Sequence, residues 1–203
     1  MIYLIGGAPR CGKTILSEAL GATRKLSWIS TDTFRSVILP YIPKSQVKKK
    51  LPDEFLRLED SAPENLLKSE LVESKTVWPG VHGMIEHLIA CKQDYIIEGV
   101  HLMPELVQEL KRKRYWKQIR VVFLVKTDLD EIKDGFGRNT SKHDWLSSAL
   151  KNKPLIEKAA RMVQLKSLYI AKQANKYRFS VIDTGKEFEI KIAEIASSLS
   201  RKI

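Results

Sequence analysis

Residues 2–14 read IYLIGGAPRCGKT, and this stretch decides the fold. Residues 2–5 form a short apolar run, which is typical of a central parallel strand buried on both faces. Gly6 and Gly7 end the run, and a helix can begin at Gly12. The stretch therefore predicts a buried strand, a glycine-rich loop and a helix, in that order.

The loop itself fits the P-loop pattern, which is a glycine, four further residues and then Gly-Lys-Ser/Thr. The matching residues are Gly7, Ala8, Pro9, Arg10, Cys11, Gly12, Lys13 and Thr14, with Ile15 directly after them. The glycines let successive backbone N–H groups point at phosphate oxygens, and the helix that follows presents the positive end of its dipole. We therefore expect residues 7–15 to bind the triphosphate of a nucleotide, most simply ATP.

Two side chains of the loop are predicted to take part in chemistry. Lys13 should reach the β- and γ-phosphates, and the hydroxyl of Thr14 is placed to coordinate Mg²⁺. That ion neutralises charge on the phosphoryl group that is transferred. Cys11 stands at the start of the helix, where a thiol pKa can be lowered, but the position suits a small loop residue and thiol catalysis is not inferred.

Further short apolar runs follow, each bounded by polar or turn residues. They are residues 26–30, 95–97, 119–125 and 179–182. Between them, apolar residues recur at helical spacing, for example over residues 156–163 and 188–199. Strands that alternate with helices indicate an α/β protein with a parallel sheet. We predict a P-loop NTPase fold with a five-stranded, mostly parallel sheet flanked by helices.

The whole chain, residues 1–203, is predicted to form a single P-loop kinase domain, because its length and composition suit one core. Two stretches stand out: an insertion at about 40–63, rich in Lys and Pro, and a polar, cationic segment at about 135–152. We interpret the second as a lid that closes over ligands, which makes the fold nucleoside-monophosphate-kinase-like. Arg138 is the candidate catalytic cation of this lid, although an ordinary solvated loop would have the same composition.

The second predicted strand ends in a carboxylate that is followed by a cation. Asp32 lies at the carboxyl edge of the sheet, and Arg35 follows one helical turn later. Asp32 could take the proton of an attacking hydroxyl or hold waters of Mg²⁺, while Arg35 could grip a carboxylate or phosphate of the acceptor. The alternative is that Asp32 only caps a helix that begins at Thr33.

The third predicted strand leads into Glu98 and His101. Glu98 would leave the sheet beside the phosphate site, where it could orient a metal-bound water or the attacking hydroxyl. A protonated His101 could bind an anionic acceptor, or its ring could make only a structural hydrogen bond in the loop. The catalytic candidates are thus Lys13, Asp32, Glu98 and Arg138, the acceptor-binding candidates are Asp32, Arg35 and His101, and the metal ligand is Thr14. Whether Asp32 or Glu98 is the general base stays open.

Several of these motifs together resemble one known family. They are Gly6-Gly7 with Gly12-Lys13-Thr14, Thr31-Asp32 with Arg35, and Ile97-Glu98-Gly99-Val100-His101-Leu102 with Pro104, followed by Tyr169-Ile170-Ala171 and residues 179–183. The family is the archaeal-type 2-phosphoglycerate kinases. The resemblance implies ATP-dependent phosphorylation of a small hydroxy acid, with Lys13 and Thr14 at the nucleotide and Asp32, Arg35, Glu98 and His101 facing the acceptor. The lid departs from the family, which has several closely spaced arginines there, whereas the next arginine after Arg138 is Arg161.

The composition is strongly basic, with 35 Lys and Arg against 24 Asp and Glu and a net charge of +11. Such a protein attracts anions, including phosphorylated metabolites and nucleic acid. Nucleic acid is possible but not favoured as a partner, because basic runs usually lie on solvated helix faces. The chain has two cysteines and no apolar stretch approaching the length of a membrane span. We expect a soluble, cytoplasmic protein with free thiols and no membrane partner.

Two functional alternatives stay open. A nucleoside, nucleotide, sugar or polynucleotide 5′-hydroxyl kinase would use the same loop on a different acceptor. A non-catalytic module that binds ATP to order its lid for a protein partner would also carry the loop. Asp32, Arg35 and Glu98 argue against the module, because a pure switch needs no carboxylate and cation on the acceptor side.

Overall fold

A parallel sheet forms the centre of the computed structural model, which describes residues 1–138 and 153–201. The strands are β1 (Ile2–Gly7), β2 (Trp28–Ser30), β3 (Tyr95–Gly99), β4 (Ile119–Val125) and β5 (Ser180–Asp183). Their order is β2-β3-β1-β4-β5, and each neighbouring pair among the described residues is parallel. The predicted α/β class and five-stranded sheet are confirmed, with β1 in the middle of the sheet.

Helices cover both faces of this sheet. The first four are α1 (Lys13–Arg24), α2 (Thr31–Ile38), α3 (Lys44–Lys50) and α4 (Pro63–Ala90). Later helices span Pro104–Val107, Leu129–Arg138, Lys153–Lys176 and Phe188–Ser200, and short 3-10 turns lie at Leu39–Tyr41, Pro52–Phe55, Gln108–Arg112 and Trp116–Gln118. In the described part of the chain, none of the helices is both long and apolar enough to cross a membrane.

Strand β1 explains why the first apolar run of the chain is continuous. Ile2 and Leu4 belong to the core on the side of α4, while Tyr3 and Ile5 belong to the core on the side of α1 and the C-terminal helix Phe188–Ser200. All of these strand side chains are buried. A parallel strand covered on both faces has no polar side, so its sequence shows no alternation of apolar and polar residues.

Except for β4, the described strands differ from their predicted bounds by one or two residues. The edge strand β2 begins only at Trp28, because the residues before it complete the end of α1. Lys25 adopts a left-handed conformation there (φ 55°), and the backbone N–H of Leu26 donates to Gly21 O at 3.0 Å. In contrast, β3 is longer than predicted and carries Glu98 within the strand rather than after it.

The Lys- and Pro-rich stretch at 40–63 is folded rather than irregular. It contains α3 and the turn Pro52–Phe55. The backbone N–H of Asp53 donates to Glu73 Oε1 at 2.8 Å, which attaches this turn to α4. Its interpretation as an insertion within a single domain remains a prediction. Of the predicted lid, residues 139–152 lie outside the described residues.

Gly99→Ala is expected to destabilise the protein strongly. Gly99 ends β3 with φ +150°, and a Cβ there would come within 1.8 Å of Thr31 Oγ1 at the start of α2. Backbone strain and overpacking of this kind each cost about 1–3 kcal/mol. We expect the free energy of unfolding, measured by urea denaturation, to fall by at least about 2 kcal/mol.

Gly83→Ala is the matched control for this variant. Gly83 lies within α4, and a Cβ there would have no heavy atom within 4 Å. Alanine is favoured over glycine in a helix by about 1 kcal/mol, so this variant should be slightly more stable than the wild type. Equal stability of the two variants would contradict the close approach of β3 and α2.

Candidate active site

A cavity of about 540 Å³ lies at the carboxyl ends of β1, β2 and β3. This edge of an open parallel sheet is where α/β proteins bind their ligands. The cavity brings together most of the polar residues singled out from the sequence, namely Arg10, Lys13, Thr14, Asp32, Arg35, Glu98 and His101. Residues from α4 and from the stretch at 40–63 complete its wall.

The glycine loop has a backbone that only glycine allows at two positions. Gly12 has φ +92°, and a Cβ on Gly7 would lie 2.2 Å from Leu124 O. α1 begins at Lys13, one residue later than predicted, with Gly12 as its N-cap and without a side-chain cap from the described residues. The first N–H groups of α1 are therefore available to an anion bound by the loop.

Lys13 is held within the loop. It is 7% exposed, and its Nζ donates to Ala8 O at 2.8 Å. Ala8 and Cys11 are fully buried under the loop, whereas Ile15 is 38% exposed. The ammonium of Lys13 is therefore fixed within the loop, and its contact with phosphates remains a prediction.

Arg10 and Cys11, the variable positions of the loop, make structural contacts. Arg10 Nη2 donates to Gly135 O at 3.0 Å, and the guanidinium lies over the ring of Phe136. The loop thus contacts the helix Leu129–Arg138, whose last residues are the first residues of the predicted lid. Burial raises the pKa of the Cys11 thiol, which favours its neutral form and agrees with a small packing residue.

Thr14 and Glu98 meet on the nucleotide side of the cavity. Thr14 Oγ1 donates to Glu98 Oε1 at 3.3 Å, and Glu98 is only 4% exposed. Burial raises the pKa of Glu98, although the nearby charge of Lys13 opposes this shift. Glu98 is therefore tied to the P-loop through Thr14.

The pair formed by Thr14 and Glu98 is suited to a hard cation. Mg²⁺ prefers oxygen ligands and often takes only one or two of them from the protein, the others being water and phosphate oxygens. The hydroxyl and the carboxylate provide such oxygens side by side. Within residues 1–138 and 153–201, there is no group of three or more His, Cys, Asp or Glu that could hold a metal ion.

Asp32 does not cap α2. The helix begins at Thr31, and Ser30 is its N-cap, with Oγ accepting from the backbone N–H of Asp32 at 3.2 Å. The alternative that Asp32 only caps a helix beginning at Thr33 is therefore wrong. The carboxylate is 65% exposed and lies at the wall of the cavity, with Oδ1 3.5 Å from His101 Nδ1.

His101 is buried, and both nitrogens of its ring have partners. Nδ1 lies 3.0 Å from Thr31 Oγ1, and Nε2 lies 3.8 Å from Glu73 Oε2. The structural hydrogen bond considered for this ring is therefore present. The ring also lines the cavity beside Asp32, so a structural contact and a contact with the acceptor are compatible.

Arg35 is bound between two carboxylates. Its Nε donates to Glu73 Oε2 at 2.6 Å, and its Nη1 lies 2.7 Å from Glu54 Oε1. Burial alone would lower the pKa of Arg35, but the hydrogen bonds and charges of the two glutamates raise it on balance. The predicted anion-binding residue thus lines the cavity with its charge fully maintained.

Glu73, which organises this end of the cavity, was missed from the sequence. Its side chain is 1% exposed and contacts Arg35, His101 and the backbone of Asp53. Burial alone would raise the pKa of Glu73, but the nearby ring of His101 and the hydrogen bond from Arg35 lower it on balance, so the carboxylate stays charged. The sequence did contain a signal for Glu73. This residue lies on the same buried face of α4 as Val77, and a charged side chain on such a face requires partners.

Two further carboxylates, Asp53 and Glu70, line the same end of the cavity. Burial, together with the charges of Glu73 and Glu70, raises the pKa of Asp53 to about 7. Glu70 pairs with the fully buried Lys166 at 2.8 Å. The end of the cavity around Arg35 is therefore rich in carboxylates.

The predicted lid residue Arg138 is the last residue of the helix Leu129–Arg138. Its side chain and residues 139–152 lie outside the described residues. Its catalytic role therefore stays a prediction. The contact of Arg10 with Gly135 does show that the start of the predicted lid segment adjoins the P-loop.

Sequence comparison relates the chain distantly to kinases, although no protein-family profile matches it. Over 135 residues it is 30% identical to the 2-phosphoglycerate kinase of Methanocaldococcus jannaschii, a match that covers 64% of this chain and 42% of the relative. Over 114 residues it is 25% identical to the mevalonate-3-phosphate 5-kinase of Thermoplasma acidophilum, covering 55% of this chain and 56% of the relative. The chain thus spans about half the length of the curated relatives that it matches.

Two solved structures with the same fold are named as kinases. A sugar kinase from Janibacter sp. HTCC2649 superimposes with a TM-score of 0.59 at 14% identity, covering 98% of this chain and 93% of that one. A gluconokinase from Sinorhizobium meliloti gives a TM-score of 0.54 at 15% identity, with coverages of 97% and 94%. The fold is that of the P-loop kinases, as predicted, and the named relatives support a kinase enzyme.

Proposed function

We propose that this chain transfers the γ-phosphoryl group of ATP to a hydroxyl of a small anionic metabolite. One observation carries the proposal: a single cavity joins Lys13 and Thr14 of the P-loop to Asp32 and Arg35 on the acceptor side. A nucleotide-binding module needs only the first pair, whereas phosphoryl transfer also needs groups that position and deprotonate an acceptor.

On the nucleotide side, the loop amides and Lys13 would bind the β- and γ-phosphates. Thr14 and Glu98 would hold Mg²⁺ directly or through its waters, and the ion would neutralise phosphate charge. Burial of Lys13 and Glu98 strengthens their electrostatic effects, because little water screens them. Phosphoryl transfer depends mainly on such positioning and charge.

On the acceptor side, Asp32 is the better supported proton acceptor. Its carboxylate is exposed at the cavity wall, while Glu98 is buried and hydrogen-bonded to Thr14. During transfer a bond forms between the acceptor oxygen and the γ-phosphorus, and the bond from that phosphorus to the bridging oxygen breaks to release ADP. The proton of the hydroxyl passes to the Asp32 carboxylate. Arg35 and His101 would bind an anionic group of the acceptor.

The names of the relatives support an anionic acceptor. One is a 2-phosphoglycerate kinase and the other a mevalonate-3-phosphate 5-kinase, and both names specify a phosphorylated acceptor. The free thiols of Cys11 and Cys91 support a reducing compartment, such as the cytoplasm, where ATP and Mg²⁺ are abundant.

The proposal is tested by measuring ADP formation from Mg²⁺-ATP with a panel of acceptors. The panel contains 2-phosphoglycerate, mevalonate 3-phosphate, glycerate, neutral sugars, nucleosides and RNA with a 5′-hydroxyl end. We expect one phosphorylated or carboxylated acceptor to raise ADP formation at least about 10²-fold over the rate without acceptor. A preference for a neutral sugar or for RNA would mean that the acceptor is not a small anionic metabolite. Tight ATP binding with no stimulation by any acceptor would favour a non-catalytic module.

A further inference from the structure

Arg35 has two differently held carboxylate partners. Glu73 Oε2 lies 2.6 Å from Arg35 Nε, and its side chain is 1% exposed. Glu54 Oε1 lies 2.7 Å from Arg35 Nη1, and its side chain is 35% exposed. A guanidinium offers its donors along separate edges, so one edge can stay bound while another exchanges its partner. The pair with Glu73 is therefore the permanent one, and the pair with Glu54 is the one that can exchange.

The two glutamates also belong to different parts of the fold. Glu73 lies in the middle of α4, where it contacts His101 and accepts a hydrogen bond from the backbone of Asp53. Glu54 lies on the short 3-10 turn Pro52–Phe55 within the stretch at 40–63. Displacing the Glu54 side chain needs only a rotation on a surface turn, whereas displacing Glu73 would leave a buried charge unpaired.

Among the described residues that line the cavity, Arg35 is also a cation to which an anionic acceptor could bind. It lines the cavity together with Asp32, Asp53, Glu70 and Glu73, so an incoming anion is surrounded by carboxylates at this end. A carboxylate or phosphate gains most from a guanidinium when it takes two donors at once. Glu54 holds Nη1, one of the donors that a two-point contact with the end of the guanidinium would use.

We propose that Glu54 occupies the edge of Arg35 to which the anionic group of the acceptor binds, so that binding of the acceptor displaces Glu54. This inference rests on the proposed function. It makes Glu54 an internal competitor of the acceptor for Arg35. Glu54 thereby weakens binding of the acceptor and discriminates against ligands that cannot replace its charge. A neutral acceptor would leave the pair between Arg35 and Glu54 in place.

Glu54→Gln is expected to lower the acceptor KM by about three- to fivefold, because a partly exposed ion pair is worth up to about 1 kcal/mol. The KM for ATP and the kcat should stay within about twofold of the wild type, since none of the P-loop contacts described above involves Glu54. Glu59→Gln is the matched control, because Glu59 is an exposed glutamate of the same stretch and its loss changes the net charge equally. This control should shift the acceptor KM by less than about 1.5-fold.

A binding measurement separates this inference from the proposed function. The P-loop is first saturated with Mg²⁺ and a non-hydrolysable ATP analogue, and inorganic phosphate is then titrated while thermal stability is recorded. Glu54→Gln should reach half of its stabilisation at about three- to fivefold less phosphate than the wild type and Glu59→Gln. When Arg35→Lys is also present, Glu54→Gln should increase the affinity for phosphate by a smaller factor. The reason is that lysine is a single point charge without separate edges.

The outcomes are distinct. If no acceptor is phosphorylated by the wild type but Glu54→Gln still binds phosphate more tightly, the proposed function fails and the competition at Arg35 stands. If phosphate affinity and acceptor KM are the same in the wild type, Glu54→Gln and Glu59→Gln, the pair is an ordinary surface ion pair and the inference is overturned. A weaker affinity in Glu54→Gln would overturn it as well.

Discussion

Lys13→Ala is expected to reduce phosphoryl transfer to the best acceptor by about 10³-fold. Lys13 is the cation of the P-loop, and it is 7% exposed with Nζ fixed to Ala8 O at 2.8 Å. A charge held in place and shielded from water stabilises the developing charge of the transferring group far more than a solvated one, and removing one such group typically costs about 10²–10³ in kcat. The measurement is the rate of ADP formation at saturating Mg²⁺-ATP and acceptor.

Two controls make this result specific to the charge. Lys75→Ala removes a lysine from the exposed face of α4 and should keep full activity. Lys13→Met keeps most of the buried stem and should be as inactive as Lys13→Ala, because only the ammonium acts on phosphate. If Lys13→Ala keeps more than about a tenth of the wild-type rate, the loop does not carry the transferring phosphates as proposed.

The parts of the fold that were predictable depend on local chemistry. The continuous apolar run of β1 indicated a strand covered on both faces, and the P-loop pattern indicated the turn into α1. The end of α1 was not predictable in the same way, because Lys25 adopts a left-handed conformation that the sequence does not mark with glycine. The start of β2 was therefore placed too early.

The nucleotide side of the site was more predictable than the acceptor side for a similar reason. Lys13 and Thr14 lie within one short pattern, and Glu98 lies near the carboxyl end of β3, the strand that neighbours β1. The partners of Arg35 could not be predicted, because Glu54 and Glu73 are distant in sequence and meet it only through the packing of α4 and the stretch at 40–63. A buried ion pair is a property of tertiary structure, and no local spacing encodes it.

Asp32→Asn is expected to lower kcat with the best acceptor by about 10²–10⁴-fold, which is the usual contribution of a positioned general base. An amide keeps the size of the side chain but cannot accept the proton of the hydroxyl. The affinity for Mg²⁺-ATP should change little, because the exposed Asp32 carboxylate contacts His101 rather than the P-loop. Asp60→Asn, at an exposed acid of the stretch at 40–63, is the control and should keep full activity.

Glu98→Gln distinguishes the two carboxylates that could serve as the base. Glu98 is buried and accepts a hydrogen bond from Thr14, so its loss should weaken Mg²⁺ binding and raise the Mg²⁺ concentration needed for half-maximal rate. Asp32→Asn should leave that concentration unchanged while kcat falls. If Asp32→Asn keeps kcat and Glu98→Gln removes it at saturating Mg²⁺, the roles are reversed, and the buried carboxylate with the raised pKa is the proton acceptor.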